Sequence, residues 1–135
     1  MKTVRANLPA NFQNCSLSIS QGLINQFADL AGDYNPIHMD AVFAKKSSLG
    51  KIIAHGSLSM GLIWNSAEKS LLGKWLKGAS LEVRFRLPAY LGDDIISGGV
   101  LRSDCQSYDV WVNNQHGDHV IKGIFYIRSD VLGEN

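Results

Sequence analysis

The run Ser57-Leu58-Ser59-Met60-Gly61-Leu62-Ile63-Trp64-Asn65-Ser66-Ala67-Glu68-Lys69-Ser70-Leu71-Leu72 decides the fold. In its first turns apolar residues occupy nearly the whole helical circumference, the mark of a helix that is buried instead of lying on a surface. Gly61 and the serines at 57 and 59 keep part of that circumference narrow, so a sheet can approach it. Gly73 closes the helix. Downstream the pattern changes to period two. Ala79, Leu81, Val83, Phe85 and Leu87 alternate with Ser80, Glu82, Arg84 and Arg86, as a strand with one buried face does. Pro88 and the Gly92-Asp93 pair mark a turn. Ile95 to Arg102, Tyr108 to Val112 and Val120 to Arg128 read as further strands, the last two joined by a hairpin loop containing His116-Gly117-Asp118. One buried helix followed by an antiparallel meander predicts an α+β domain whose sheet curls around that helix.

Upstream of the decisive helix, Cys15 to Ser20 alternates as a short strand does. Ser20 then caps a helix whose apolar residues Leu23, Ile24, Phe27, Ala28 and Ala31 follow helical spacing, and Gly32 ends it. Asp40 caps a second, short helix through Ala41-Val42-Phe43-Ala44. The segment between, Ala31-Gly32-Asp33-Tyr34-Asn35-Pro36-Ile37-His38, holds a carboxylate, a carboxamide and an imidazole on one restricted piece of backbone. Pro36 fixes its own φ and pushes Asn35 toward an extended conformation. Asp-x-Asn-Pro is also ordinary turn chemistry. Ala54-His55-Gly56, placed at the start of the buried helix, supplies the second half of the pattern. An acid, a base and an orienting amide on a rigid turn suit proton transfer.

Size and composition bound the answer. A chain of 135 residues with 45% hydrophobic and 19% charged residues fits a single globular domain, 1–135. A net charge of +1 with scattered basic residues gives no nucleic-acid signature. No apolar run reaches membrane-span length, and Met1-Lys2-Thr3-Val4-Arg5 leads into no signal-peptide core. Cys15 and Cys105 lie far apart without metal-binding spacing, which reads as two free thiols in a reducing cytoplasm. Ser129 to Asn135 is expected to fray. Asp33, His38 and His55 have no helical metal-ligand spacing, so no metal and no cofactor is expected.

Gly32-Asp33-x-Asn35-Pro36-Ile37-His38 followed by Ala54-His55-Gly56 resembles the signature of MaoC-like (R)-specific enoyl-CoA hydratases. The resemblance runs from about Leu17 to Arg128, giving a domain core at about 17–128, and implies a hot-dog fold and reversible syn addition of water to a trans-2-enoyl thioester, giving a (3R)-3-hydroxyacyl thioester. It further implies that Asp33 and His38 hold the water and move its protons and that Asn35 orients it. The Gly56 N–H would bind the thioester oxygen. This sequence departs from many relatives at Ala31, where they carry Ser or Thr, and at Ser57, where they carry an apolar residue. Coenzyme A or an acyl carrier protein is the implied carrier, with Lys45, Lys46 and Lys51, or Arg84 and Arg86, as handles or as plain solvated surface. A homodimer is expected, partly from the resemblance and partly because the strand Ala79–Leu87 needs its edge covered. Trp64, Met60 and Phe43 are candidates to line an acyl tunnel. Two other readings stand beside the hydratase. A hot-dog thioesterase would use Glu68, the acid on the central helix; a non-catalytic acyl-thioester-binding module would use none of these groups. His55 reads as a residue that fixes the turn before the helix, and His116 and His119 as exposed.

Overall fold

A computed structural model describes residues 8–74 and 76–127. The N-terminal pentapeptide, Arg128 at the end of the expected last strand and the polar tail from Ser129 lie outside those residues.

The order is β1 (Asn11–Phe12), β2 (Ser16–Ser18), α1 (Gln21–Ala31), α2 (Pro36–Met39), α3 (Ala41–Lys46), α4 (Gly56–Leu71), β3 (Ser80–Phe85), β4 (Asp94–Leu101), β5 (Ser107–Asn113) and β6 (His119–Tyr126). One antiparallel sheet runs β1-β4-β5-β6-β3, and β2 also pairs with β4. Strand β4 is eight residues long, so β2 occupies its first half and β1 its second. Among the described residues the other edge of the sheet is β3, which pairs with β6 alone.

Helix α4 packs against β4, β5 and β1, as its apolar circumference predicts. It buries Leu62, Ile63, Ala67 and Leu71 together with Ser59 and Ser66. The small serines permit the close approach. Ser66 Oγ lies 2.5 Å from Ser97 Oγ on β4, and Ser97 Oγ in turn accepts from the Cys15 N–H at 3.2 Å, so these buried hydroxyls find partners. Beyond them Phe12 stacks on Tyr108 at 4.1 Å and meets Phe125 edge-on at 5.6 Å. Trp64 also meets Phe125 edge-on, at 5.2 Å. This aromatic cluster ties the helix to the middle of the sheet.

Two elements differ from the expectations. The apolar face of β3 is not uniformly buried: Leu81 and Val83 are half-buried, but Phe85 is 56% and Leu87 43% exposed. The reason is position, because β3 is an edge strand and its end overhangs α4. Residues 36–39 also form a helical turn of their own. Pro36 takes the first helical position, where its missing N–H costs nothing, and the Asn35 side chain accepts from the Ile37 N–H at 3.0 Å. Asn35 itself is extended, as the following proline demands. The β1 pairing was not visible in the sequence, since two residues carry no period.

Candidate active site

The end of α1 sets the position of Asp33. Ser20 caps its start by accepting from the Leu23 N–H, and Gly32 ends it at φ 68°, the left-handed conformation that favours glycine. The chain leaves in a new direction, with the Asp33 N–H donating back to Ala28 O at 3.1 Å. The two oxygens of Asp33 then divide their work. Oδ1 accepts from the Asn35 N–H at 3.2 Å and closes the turn. Oδ2 faces the Nε2 of His38 at 4.0 Å. That separation is too long for a direct hydrogen bond, but one water molecule can bond both atoms.

His38 sits on α2 and is buried, whereas Asp33 is exposed. Its Nδ1 lies 2.7 Å from the carbonyl of Ile53. A carbonyl can only accept, so the proton is on Nδ1 and the lone pair on Nε2 is turned toward Asp33. Ile53 is held in place from both sides, its N–H bonding Ile37 O at 3.3 Å and its backbone bridging Tyr90. Asp40 restrains α3 by accepting from the N–H groups of Val42 and Phe43. The carboxamide oxygen of Asn35 is taken up in capping α2. Its NH2 end makes no hydrogen bond among the described residues and is the part left to meet a water.

Gly56 opens α4, where the first N–H groups have no carbonyl one turn back and the dipole presents its positive end. Glycine is needed here for space, not for backbone freedom. A Cβ at Gly56 would lie 2.9 Å from Cε1 of Phe85, closer than carbon atoms pack. Beside it a cavity of about 310 Å³ is lined by Ile53, Gly56, Ser59, Phe85, Leu87 and Pro88, among others. Trp64, Met60 and Phe43, expected to line a tunnel, do not line this cavity. Of the cationic handles, Arg86 reaches its rim. Arg84 and Arg86 also border a second cavity, on the outer sheet face, with Lys122, Glu82 and Asp109. Lys51 lies over the ring of Tyr90.

His55 lies directly against His38. Its ring is stacked on His38 with centroids 3.9 Å apart and planes 26° apart, and its Nε2 lies 2.9 Å from the backbone carbonyl of Asp33. Asp33, His38 and His55 thus bring one potential metal-ligand atom each to within 4.8 Å of one another. The stacking works against an ion. Nearly parallel imidazoles send their in-plane lone pairs side by side instead of toward one point, and one nitrogen on each ring already faces a carbonyl. His116 and His119 are exposed in the hairpin, as expected.

The arrangement can hold a water between a carboxylate and an imidazole, next to a helix N-terminus that can receive an oxyanion. Residues 8–122 match the family model of the MaoC like domain. The chain belongs to the MaoC-like family. This MaoC-like chain is 33% identical over 69 residues to an (R)-specific enoyl-CoA hydratase of Aeromonas caviae, covering 51% of this chain and 52% of that protein. It is 37% identical over 75 residues to a 3-hydroxybutyryl-CoA dehydratase of Methylorubrum extorquens, covering 56% and 48%. The match spans about half the length of these curated relatives. Among solved structures, an unliganded R-hydratase from Pseudomonas aeruginosa superposes with a TM-score of 0.74 at 30% identity, over 91% of this chain and 83% of that one. The MaoC-like chain therefore has the hot-dog fold that its motif implied.

Proposed function

We propose that this protein is an (R)-specific enoyl-CoA hydratase, a hydro-lyase that adds water reversibly and syn to trans-2-enoyl thioesters. One observation carries the reading: the lone pair of His38 Nε2 and the Asp33 carboxylate face one water position, and the open N-terminus of α4 starts one peptide beyond the ring stacked on His38. In the addition an O–H bond of water breaks, a C3–O bond forms and the π electrons move to the thioester oxygen. Asp33 and His38 between them take one proton from the water and return one to C2, so the step balances. The Gly56 N–H stabilises the enolate oxygen meanwhile. Such a donor is worth about 3 kcal/mol in the transition state. No cofactor is needed for this chemistry, and the protein works in a reducing cytoplasm, consistent with the free thiols of Cys15 and Cys105.

The thioesterase reading has no support from a particular contact. Glu68 is exposed and lies twelve residues beyond Gly56, about 18 Å along the helix axis, so it cannot serve a thioester held at Gly56. Incubation with crotonyl-CoA separates the readings. Loss of the enoyl absorbance with formation of a (3R)-hydroxyacyl product supports hydration, release of free thiol would indicate hydrolysis, and binding without either would indicate a carrier module. Parallel assays with crotonyl groups on CoA and on an acyl carrier protein identify the carrier.

The functional unit is a homodimer formed along β3. Phe85 and Leu87 are large apolar residues exposed at or just beyond the end of that edge strand, next to the Gly56 cavity. An unpaired edge of this kind calls for cover. We expect light scattering at micromolar concentration to give twice the monomer mass, with about 2,000 Å² or more buried in total. A fully active monomer would sink this part of the proposal.

A further inference from the structure

We propose that His55 is a positioning residue that fixes both proton-transferring groups and the oxyanion donor in one frame; the catalytic part of this claim rests on the hydratase reading above. His55 occupies the N-cap of α4, a position favouring Ser, Thr, Asp or Asn, yet its side chain makes no capping bond. The ring points the other way and is 98% buried. There it does three things. Its Nε2–H donates to the Asp33 carbonyl across twenty-two residues of sequence. Its face covers the face of His38, leaving that imidazole to turn only in its own plane, where the Ile53 carbonyl holds Nδ1. Its peptide leads directly into Gly56.

Packing alone does not account for an imidazole here. Among the described residues the Nδ1 of His55 is buried without a partner, a penalty that a phenyl ring of similar size would avoid. Phe27, 5.0 Å from the His55 ring, shows that the surroundings accept an apolar ring. The feature that imidazole alone adds is the Nε2–H bond to Asp33. That bond sets where the Asp33 backbone sits relative to His38, and hence the 4.0 Å gap that one water spans. Misplacing reacting groups by about 1 Å commonly costs ~100-fold in rate.

The test compares His55→Phe, which keeps a stacking ring and loses the donor, with His55→Gln, which keeps an N–H donor and loses the ring. Crotonyl-CoA hydration is measured as separate kcat and KM values, alongside melting temperature and the NMR signals of the Asp33 carbonyl carbon and the His38 ring. We expect His55→Phe to melt near wild type, with KM within about twofold and kcat lowered roughly 10- to 100-fold. His55→Gln should recover part of kcat, and the Asp33 carbonyl signal should move in His55→Phe but less in His55→Gln. Wild-type kcat in a folded His55→Phe protein overturns the proposal, as does an unmoved Asp33 carbonyl signal. If His55→Phe does not fold, the same criteria apply to His55→Gln against His55→Asn, whose shorter donor falls short of Asp33. Inactivity of the wild-type protein toward enoyl thioesters would instead reject the hydratase reading, and the carbonyl signal would still decide whether His55 holds Asp33.

Discussion

Asp33→Asn and His38→Ala should each lower hydratase turnover by ~100- to 10,000-fold, the loss that removing a general acid–base partner commonly brings. The asparagine change is the cleaner of the two. Its side-chain oxygen can still accept from the Asn35 N–H, so the turn that Oδ1 closes survives while the charge facing His38 is gone. Melting temperature should therefore change little. His38→Ala also leaves the half-buried Ile53 carbonyl without its donor, a stability cost of about 1 kcal/mol. Its activity must be read per folded molecule. Asn35→Ala should act in the same direction but less strongly, because the role proposed for Asn35 is to orient the water without accepting its proton. Near-wild-type turnover by either Asp33→Asn or His38→Ala, in a stably folded protein, would remove the pair from the mechanism.

The sequence made the fold legible where one element is periodic over many residues. Helix α4 and the meander after it were read correctly because their apolar patterns reflect what they bury: a whole circumference for the helix, alternate residues for the strands. The helix ends were legible for a different reason. Ser20, Gly32 and Asp40 each carry a local bond or a backbone conformation that needs no tertiary context. Strand β3 shows the limit. Alternation told which residues share a face, but the exposure of Phe85 and Leu87 depends on β3 lying at the sheet edge, which period alone does not encode.

The site divides in the same way. Asp33, Asn35, His38 and Gly56, the residues of the proposed site, were legible in the sequence because they sit in two short motifs at helix boundaries. The groups that orient them were not. The Ile53 carbonyl that sets the His38 tautomer belongs to the backbone, and any residue at 53 would supply it. The stack of His55 on His38 joins residues seventeen apart and exists only once α2 is folded against the start of α4. Phe85 closes over Gly56 from an element nearly thirty residues further on. Motifs record the side chains that do chemistry; their supporting contacts are long-range and leave no local pattern.

Gly56→Val should cut kcat/KM by at least ~100-fold, comparable to losing an oxyanion-hole donor, while Asp33 and His38 stay in place. The proposed donor is a backbone N–H and cannot be deleted by truncation, so the experiment adds bulk instead. Had glycine been needed for a left-handed backbone, Gly56→Ala would chiefly destabilise the fold. Gly56 lies in the first turn of α4 and is absent from the positive-φ residues, so that cost does not arise. An added Cβ meets instead Cε1 of Phe85, the far part of a side chain that can turn aside into the neighbouring cavity. Alanine also stiffens the unfolded chain relative to glycine, a gain of about 0.4–1 kcal/mol that offsets the displaced contact. Gly56→Ala is therefore expected to melt close to wild type, and Gly56→Val only slightly lower. Catalysis should respond far more, because the displaced Phe85 ring and the new methyl groups share the cavity in which the thioester must lie against the N–H. The two variants should form a series, with alanine intermediate and valine severe, in kcat/KM and not in melting temperature. A Gly56→Val protein that is folded and hydrates crotonyl-CoA within about threefold of wild type would rule out an oxyanion role for this helix end, since a blocked donor would cost far more than that.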